Sequence, residues 1–513
     1  MLAAGIAFAV QAMVIREMLR NGVADKIIPW DDCAYIYNSL FNSHLIRSAG
    51  FFAAAANLNF AHVPLANIHG TLAMLLSGDR IWTPHLIPGF YLFLVVLSIF
   101  RSLRGAVIIA PIGFVLCVVS IPAFFLFAST LKTDFLAGAI LFILVVEVFL
   151  VDGATFSVWR RLYTALLAAL FVLCKPTAFY FPLLLGLVFV LQHLRDWSIE
   201  GRSALNRRRL AITAGLVLLP VLVYAAIVVP NLDFFRFYIT QALSNPLWQS
   251  DIALRDRLLF YLPFATPARS WGGGLTSFLL IGFGFLVAVA RHHMKRTDLA
   301  AACAIVVIVF ACYAPLTISP QYSQQLGAPL AGSILALVLL ALRIAMRDRW
   351  LQLPVATGLL VTSAVTFEMP VQRWIHWPGD SYSVDDVAQA SQIVQDFSRT
   401  IIAQSPVHGP AIYLNHSPIP YFNFVIEIYR QSGAFVGMSQ PYVFDPATID
   451  RAVSSAHFVL LHDAPGTTDR YTDLGHKARA HILLRDDLFE LARASIRQHN
   501  YVLYKVGPIP VTQ

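Results

Sequence analysis

The stretch Pro29-Trp30-Asp31-Asp32-Cys33-Ala34-Tyr35 sets two adjacent carboxylates into a chain that is strongly apolar on either side of it. Ionisable pairs beside a membrane-length apolar run are costly unless they face water, protein or a charged ligand. The stretch therefore separates an apolar N-terminus from a long apolar body, and it marks a polar loop at a membrane surface. Of the 513 residues, 58% are hydrophobic and 13% charged, against about 25% charged in soluble domains. Such a chain is a polytopic membrane protein. The net charge of +8 does not point to a nucleic-acid partner, because the basic residues fall in short loops between apolar runs, where they set topology.

Apolar runs able to span lie at 1–15, 85–100, 106–128, 135–151, 162–175, 177–194, 210–229, 274–290, 298–316, 325–342 and 351–368, or about eleven membrane helices. The first is short for a span and lacks the basic flank of a signal peptide; residues beyond Arg16 are expected to extend it, unless its start is clipped. Alternate loops carry the cations: Arg101 and Arg104; Arg160 and Arg161; Arg195, Arg202 and Arg207 to Arg209; Arg291, Lys295 and Arg296; Arg343, Arg347 and Arg349. By the positive-inside rule these loops are cytoplasmic. The opposite set faces outward: 16–84, 129–134, the junction near 175, 230–273, 317–324 and everything after 369. Arg16, Arg20 and Lys26 are discordant on that side, through a weak first span or through contact with an anionic headgroup. Two domains follow, a membrane domain over 1–369, whose first outer loop 16–84 carries interfacial helices, and an extracytoplasmic α/β domain over 370–513.

After Pro370 amphipathic helices alternate with short strands: helices at 384–403, 420–431, 445–455 and 481–498, and strands at 411–415, 434–437, 457–461 and 501–506. This alternation predicts a small α/β domain with a largely parallel sheet, Asp445 capping its helix. No Gly-rich phosphate loop follows any of the strands. Cys33, Cys117, Cys174, Cys303 and Cys312 form no CxxC pair, so neither a disulfide framework nor a zinc site is implied.

On the outward side, Asp31 and Asp32 are candidates for a general base or metal ligand, with Tyr35 four residues after Asp31 and so on the same helical face. The alternative is a helix N-terminus that uses aspartate as cap and dipole partner. Asp134, in a tight outer loop beside Lys132, is the next acid. Lys132 would neutralise it or contact a phosphate. His62 and His69 lie one helical face apart, and metal ligation would want a tighter cluster. Lys175, in Cys174-Lys175-Pro176-Thr177, either snorkels or binds phosphate. Ser319-Pro320-Gln321-Tyr322-Ser323-Gln324-Gln325 is polar, uncharged and aromatic, suited to a sugar.

Taken in order, these loops resemble those of the GT-C membrane glycosyltransferases, in particular the branch holding protein O-mannosyltransferases and lipid A aminoarabinose transferases. Asp31-Asp32-x-x-Tyr35 resembles the family's first-loop acidic pair, and His62-Val63-Pro64-Leu65 its following Lys-Pro-Pro-Leu segment. Asp134 resembles its second outer acid, Cys174-Lys175-Pro176-Thr177 its Thr-Lys-Gly-Pro step, and Gln321-Tyr322 a late Arg-Tyr step. The likeness runs over roughly 1–345. His62, Gln321 and Asp32 depart from the usual lysine, basic residue and glutamate. The resemblance implies inverting transfer of a sugar from a polyprenyl-phosphate donor to a lipid, glycan or protein acceptor on the periplasmic or luminal face. A bacterial inner membrane is the expected location. Asp31 would be the base and Asp32 its support. Asp134 would orient the acceptor; Tyr35, His62, Lys132, Lys175 and Tyr322 would bind donor phosphate or substrate. A divalent metal, if used, would fall to Asp31, Asp32 and Asp134. The competing readings are a transporter or flippase of lipid-linked sugars, which the buried acid Glu147 keeps open, and a non-catalytic scaffold whose tail binds a partner.

Overall fold

The computed structural model describes residues 1–54, 64–151, 158–175, 180–201, 207–244, 282, 291–318, 327–366, 384–405, 410–415, 417, 419–439, 445–463 and 470–507. Its first helices are α1 (Leu2–Arg20), α2 (Trp30–Ala49), α3 (Pro64–Ser77), α4 (Ile87–Ser102), α5 (Ile109–Val119), α6 (Thr133–Val145) and α7 (Val158–Cys174). There follow α8 (Tyr180–Glu200), α9 (Arg207–Val228), α10 (Leu232–Ser244), α11 (Arg296–Ile318), α12 (Ala328–Ala345) and α13 (Arg349–Thr366). Short single turns between them carry no label. The chain forms two compact units, one of Met1–Glu17 with Ala49–Trp374, the other of Met18–Ser48 with Ile375–Gln513.

Five helical stretches among the described residues are long and apolar enough to cross a membrane: Leu2–Arg20, Thr83–Ser102, Thr133–Leu150, Arg296–Pro315 and Ala328–Ala345. The first helix runs past Arg16 to Arg20, which supplies the length that the 1–15 run lacks. The 106–128 run is not one helix. It ends as α5 at Val119, and short turns carry the chain from Pro122 to Ala128, since Pro122 has no N–H to continue the ladder.

The stretch Thr133–Leu150 is wholly buried and forms the centre of the first unit. It packs on α12 through two glycines: a Cβ on Gly138 would lie 2.4 Å from the Ala328 carbonyl oxygen, and one on Gly332 would lie 2.3 Å from that of Gly138. Lipid tails give little hydrophobic drive between helices, so close backbone approach at small residues supplies the packing.

The far end of this central stretch is a π-turn, Val146–Leu150. The carbonyls at its end, which lack a partner further along the helix, are taken by arginines from three other helices. Arg160 donates to Glu147 O and, at 2.8 Å, to Val151 O; Arg195 donates to Val148 O at 3.1 Å; Arg343 donates to Leu150 O at 2.5 Å. Glu147, fully buried, accepts from Arg101 at 3.0 Å and from Ser98 at 3.2 Å. Arg101, Arg160, Arg195 and Arg343 come from four of the basic loops and their flanks, so those loops share one end of the helical unit. Glu147 is thus an ion-paired end cap, about 20 Å along the helix from Asp134 at 1.5 Å per residue.

The second unit holds α2 and the tail: α14 (Val384–Gln404), β1 (Ala411–Leu414), α15 (Phe422–Ser432), β2 (Gly437–Ser439), α16 (Pro446–Ser454), β3 (Phe458–Asp463), α17 (Arg470–Ile482), β4 (Leu488–Ile496) and β5 (His499–Val506). The sheet order is β2-β1-β3-β5-β4. β1 pairs in parallel with β2 and β3, whereas β3–β5 and β5–β4 are antiparallel. Alternate residues serve opposite faces. Ile412, Leu414, Phe458, Leu460, Tyr501 and Leu503 pack under α14 and α15, while Tyr413, Val459 and Leu461 pack against α16 and α17. Asp445 caps α16, its carboxylate accepting from Thr448 N–H at 3.0 Å.

Two expectations for the tail need correction. The segment 481–498 is not a helix: its core, Leu488–Ile496, is a strand, and the helix lies earlier at Arg470–Ile482. Its Leu, Glu, Ala and Arg are good helix formers, but a ladder with β5 from Leu488 to Ile496 overrides that preference. Arg497, in the left-handed region at φ 51°, turns the hairpin. The sheet is consequently mixed rather than largely parallel.

Candidate active site

Asp31 and Asp32 stand in the first turn of α2, where acidic side chains meet the positive end of the helix dipole. Pro29 ends the preceding chain, and its carbonyl accepts the Cys33 N–H at 3.1 Å. The two carboxylates have different surroundings: Asp31 is exposed, whereas Asp32 is 0% exposed. Tyr35, one turn on from Asp31, is buried. Burial, and then the charge of Asp32, push the Cys33 thiol well above its ordinary value, so Cys33 is an inert packing residue rather than a nucleophile.

In the other unit, Lys132, in extended conformation, precedes α6, and Asp134 lies in that helix's first turn. Lys175, directly after the end of α7, reaches Asp134 with its ammonium 2.7 Å from the carboxylate. The start of α6 is tied to the end of α7 by the Thr133 hydroxyl, which donates to the Cys174 carbonyl. Three residues singled out from sequence, Lys132, Asp134 and Lys175, therefore gather at one helix N-terminus, whose own N–H groups add positive potential. The pairing of Asp134 with Lys175 was not visible in the sequence, where Lys132 is the nearer cation. Its signal was indirect, since consecutive antiparallel helices place the end of one beside the start of the other.

His69 is half-buried and hydrogen-bonded to the Tyr91 hydroxyl at 3.1 Å. Burial pushes its imidazole down to about 4, so it is neutral near pH 7 and offers no charge to a phosphate. Sequence reasoning also passed over Gln11, whose amide donates to the carbonyls of His85 at 2.8 Å and Ala128 at 2.9 Å and pins α1 to both turns. His62 and Tyr322 lie outside the described residues. Among the described residues, no three His, Cys, Asp or Glu side chains are grouped to hold a metal ion.

No protein-family model and no curated protein matches the sequence. Among solved structures, the chain is similar to ArnT from Cupriavidus metallidurans bound to undecaprenyl phosphate, with a TM-score of 0.58 over 98% of this chain and 97% of that one. The fold is that of ArnT. Identity to that structure is 14%, and the apo form of the same ArnT aligns at 12% identity with a TM-score of 0.56 and the same coverage. The ArnT likeness extends through both units, the helical body and the small mixed-sheet unit alike.

Proposed function

We propose that this chain is an inverting glycosyltransferase that moves a sugar, hexosyl or pentosyl, from a polyprenyl-phosphate donor to a lipid, glycan or protein acceptor. The observation that carries the reading is the ArnT fold over 98% of the chain, in a relative solved with undecaprenyl phosphate. The ion pair Asp134–Lys175 beside Lys132 supports it, because a lipid phosphate leaving group calls for fixed cations and helix N–H donors. The reaction is assigned to the periplasmic face of a bacterial inner membrane, opposite the arginine-capped end of the helical unit.

In the proposed step the acceptor hydroxyl oxygen attacks the anomeric carbon while Asp31 takes its proton. The bond from that carbon to the phosphate oxygen breaks, and the electron pair leaves with the polyprenyl phosphate. Attack opposite the leaving group inverts the configuration. Asp32 supports the loop from within, and Asp134 holds Lys175 toward the phosphate. Tyr35, His62 and Tyr322 are assigned to donor or substrate contacts. No step is routed through a metal. The flippase reading loses its main support, because Glu147 is committed to arginines at the other end of its helix.

Binding of undecaprenyl phosphate, followed by native mass spectrometry, tests the phosphate role. Lys175→Ala is expected to weaken binding by about 10- to 100-fold, the value of one hydrogen bond to a charged group, with Lys175→Arg close to wild type. Equal affinity in all three proteins would remove Lys175 from the phosphate site.

A further inference from the structure

The second unit contains a clamp on the loop that leads into α2. Asn423, in the first turn of α15 and 4% exposed, reaches a residue 395 positions earlier. Its side-chain oxygen accepts the Ile28 N–H at 2.9 Å, and its amide nitrogen donates to the Ile28 carbonyl at 3.0 Å. The second amide hydrogen goes to the Pro420 carbonyl at 3.1 Å. Both donors and the acceptor are thus engaged, and both main-chain groups of Ile28 are satisfied by one side chain. Pro29 follows with a fixed φ, and two residues beyond it stands Asp31. With Ile28 held through both its N–H and its carbonyl and the next residue rigid, little freedom is left before the first turn of the helix.

The rest of α2 is docked on the same body. Tyr37 packs on Phe422 at 5.1 Å and on Phe435 at 5.9 Å between ring centroids; Phe41 meets Phe435 edge-on at 5.2 Å; the Tyr429 hydroxyl and His44 Nδ1 lie 3.3 Å apart. Ile27 enters the main core under α14 and α15. Gly22, at φ +71°, lets the preceding turn close on α14, where a Cβ would come within 2.9 Å of Val387. The apolar contacts fix which body α2 lies on. The Asn423 bonds fix where along that body its first turn begins.

We propose that Asn423 is a positioning residue for Asp31, and that the tail acts in sugar transfer by setting the start of the helix that carries the base. This rests on the assignment of Asp31 made above. The tail needs no ligand of its own for this role: its parallel strands and α15 present one amide to the main-chain N–H and carbonyl of one residue. Ordinary packing could be replaced by any side chain of similar volume, but this bond pattern requires an acceptor and a donor together.

That requirement gives the test. Asn423→Leu keeps the approximate volume and removes both partners. Asn423→Asp keeps the acceptor; its carboxylate repels the Ile28 and Pro420 carbonyls, while its protonated form regains a donor. Turnover of the full-length enzyme is measured on a panel of undecaprenyl-phosphate-linked monosaccharides, alongside amide hydrogen exchange of the same proteins. Asn423→Leu is expected to lower kcat on the order of 10- to 100-fold, as small misplacements of reacting groups do, with the donor KM unchanged at every pH. Asn423→Asp is expected to show the same loss at about pH 8 and to recover toward wild type as the pH falls to about 5.5, because burial favours the neutral acid. Exchange should quicken at Cys33 to Tyr35 in Asn423→Leu while β1, β3 and β5 stay protected.

Wild-type kcat and unchanged exchange in Asn423→Leu would overturn the proposal. So would loss of sheet protection in both variants with no recovery of Asn423→Asp at low pH, since Asn423 would then only hold the fold together. A wild-type protein that cleaves none of the donors would refute the transferase reading itself. The exchange data would still decide whether Asn423 sets the start of α2.

Discussion

Asp31→Asn is expected to reduce sugar transfer by about 10²- to 10⁴-fold, the usual contribution of a general base, while the protein unfolds at the same temperature as wild type. Asparagine is nearly isosteric but cannot take the acceptor proton. Asp31 is exposed, and substitutions at exposed sites commonly change stability by no more than about 0.5 kcal/mol. Its neighbour supplies the contrast. Asp32 is fully buried, so Asp32→Asn disturbs an interior group and should lower stability along with activity. Initial rates on an undecaprenyl-phosphate-linked sugar, with thermal unfolding measured on the same preparations, separate the two effects. A variant Asp31→Asn that keeps more than about a tenth of wild-type turnover is too active to have lost its base.

Gly332→Val is expected to have the largest effect on stability. Its first added carbon would sit 2.3 Å from the Gly138 carbonyl oxygen, and that atom belongs to the backbone of the wholly buried central helix. Neither helix can yield by rotating a side chain, so the pair must separate along its length. Overpacking of this kind costs about 1–3 kcal/mol and at times more, and valine should reach the upper part of that range. Gly186, in α8, is the control, because nothing lies within 4 Å of a Cβ built there. Gly186→Ala should be neutral or stabilising by up to about 1 kcal/mol through helix propensity. Thermal unfolding in detergent of the two variants would show whether the close helix contact is required. Equal midpoints would mean that it is not.

The long apolar helices and the basic end they share could be read from the sequence because apolar runs and basic loops are local signals. The alternation of Arg101, Arg160, Arg195 and Arg343 along the chain marked one side. In the structure these arginines meet around a single helix end, where Arg160, Arg195 and Arg343 cap carbonyls and Arg101 pairs with Glu147, targets that the sequence could not show. Asp134 and Lys175 were each singled out from their loops, yet their pairing depended on how α6 and α7 lie together. The segment 481–498 misled because its residues favour a helix in isolation, and only the neighbouring strand β5 makes it a strand. The placement of α2 was the least legible feature. Nothing near Asn423 distinguishes it from a residue of any amphipathic helix, and its partner is separated from it by most of the chain.

The transferase reading is tested most directly by the fate of the bond between sugar and phosphate. Protein reconstituted in liposomes with an undecaprenyl-phosphate-linked sugar and an extract of bacterial envelope lipids and glycans should release undecaprenyl phosphate in step with appearance of the sugar on an acceptor. The transferred sugar should have inverted anomeric configuration. Movement of the intact lipid-linked sugar across the bilayer, with no undecaprenyl phosphate released, would contradict it and mark the chain as a flippase built on the ArnT fold.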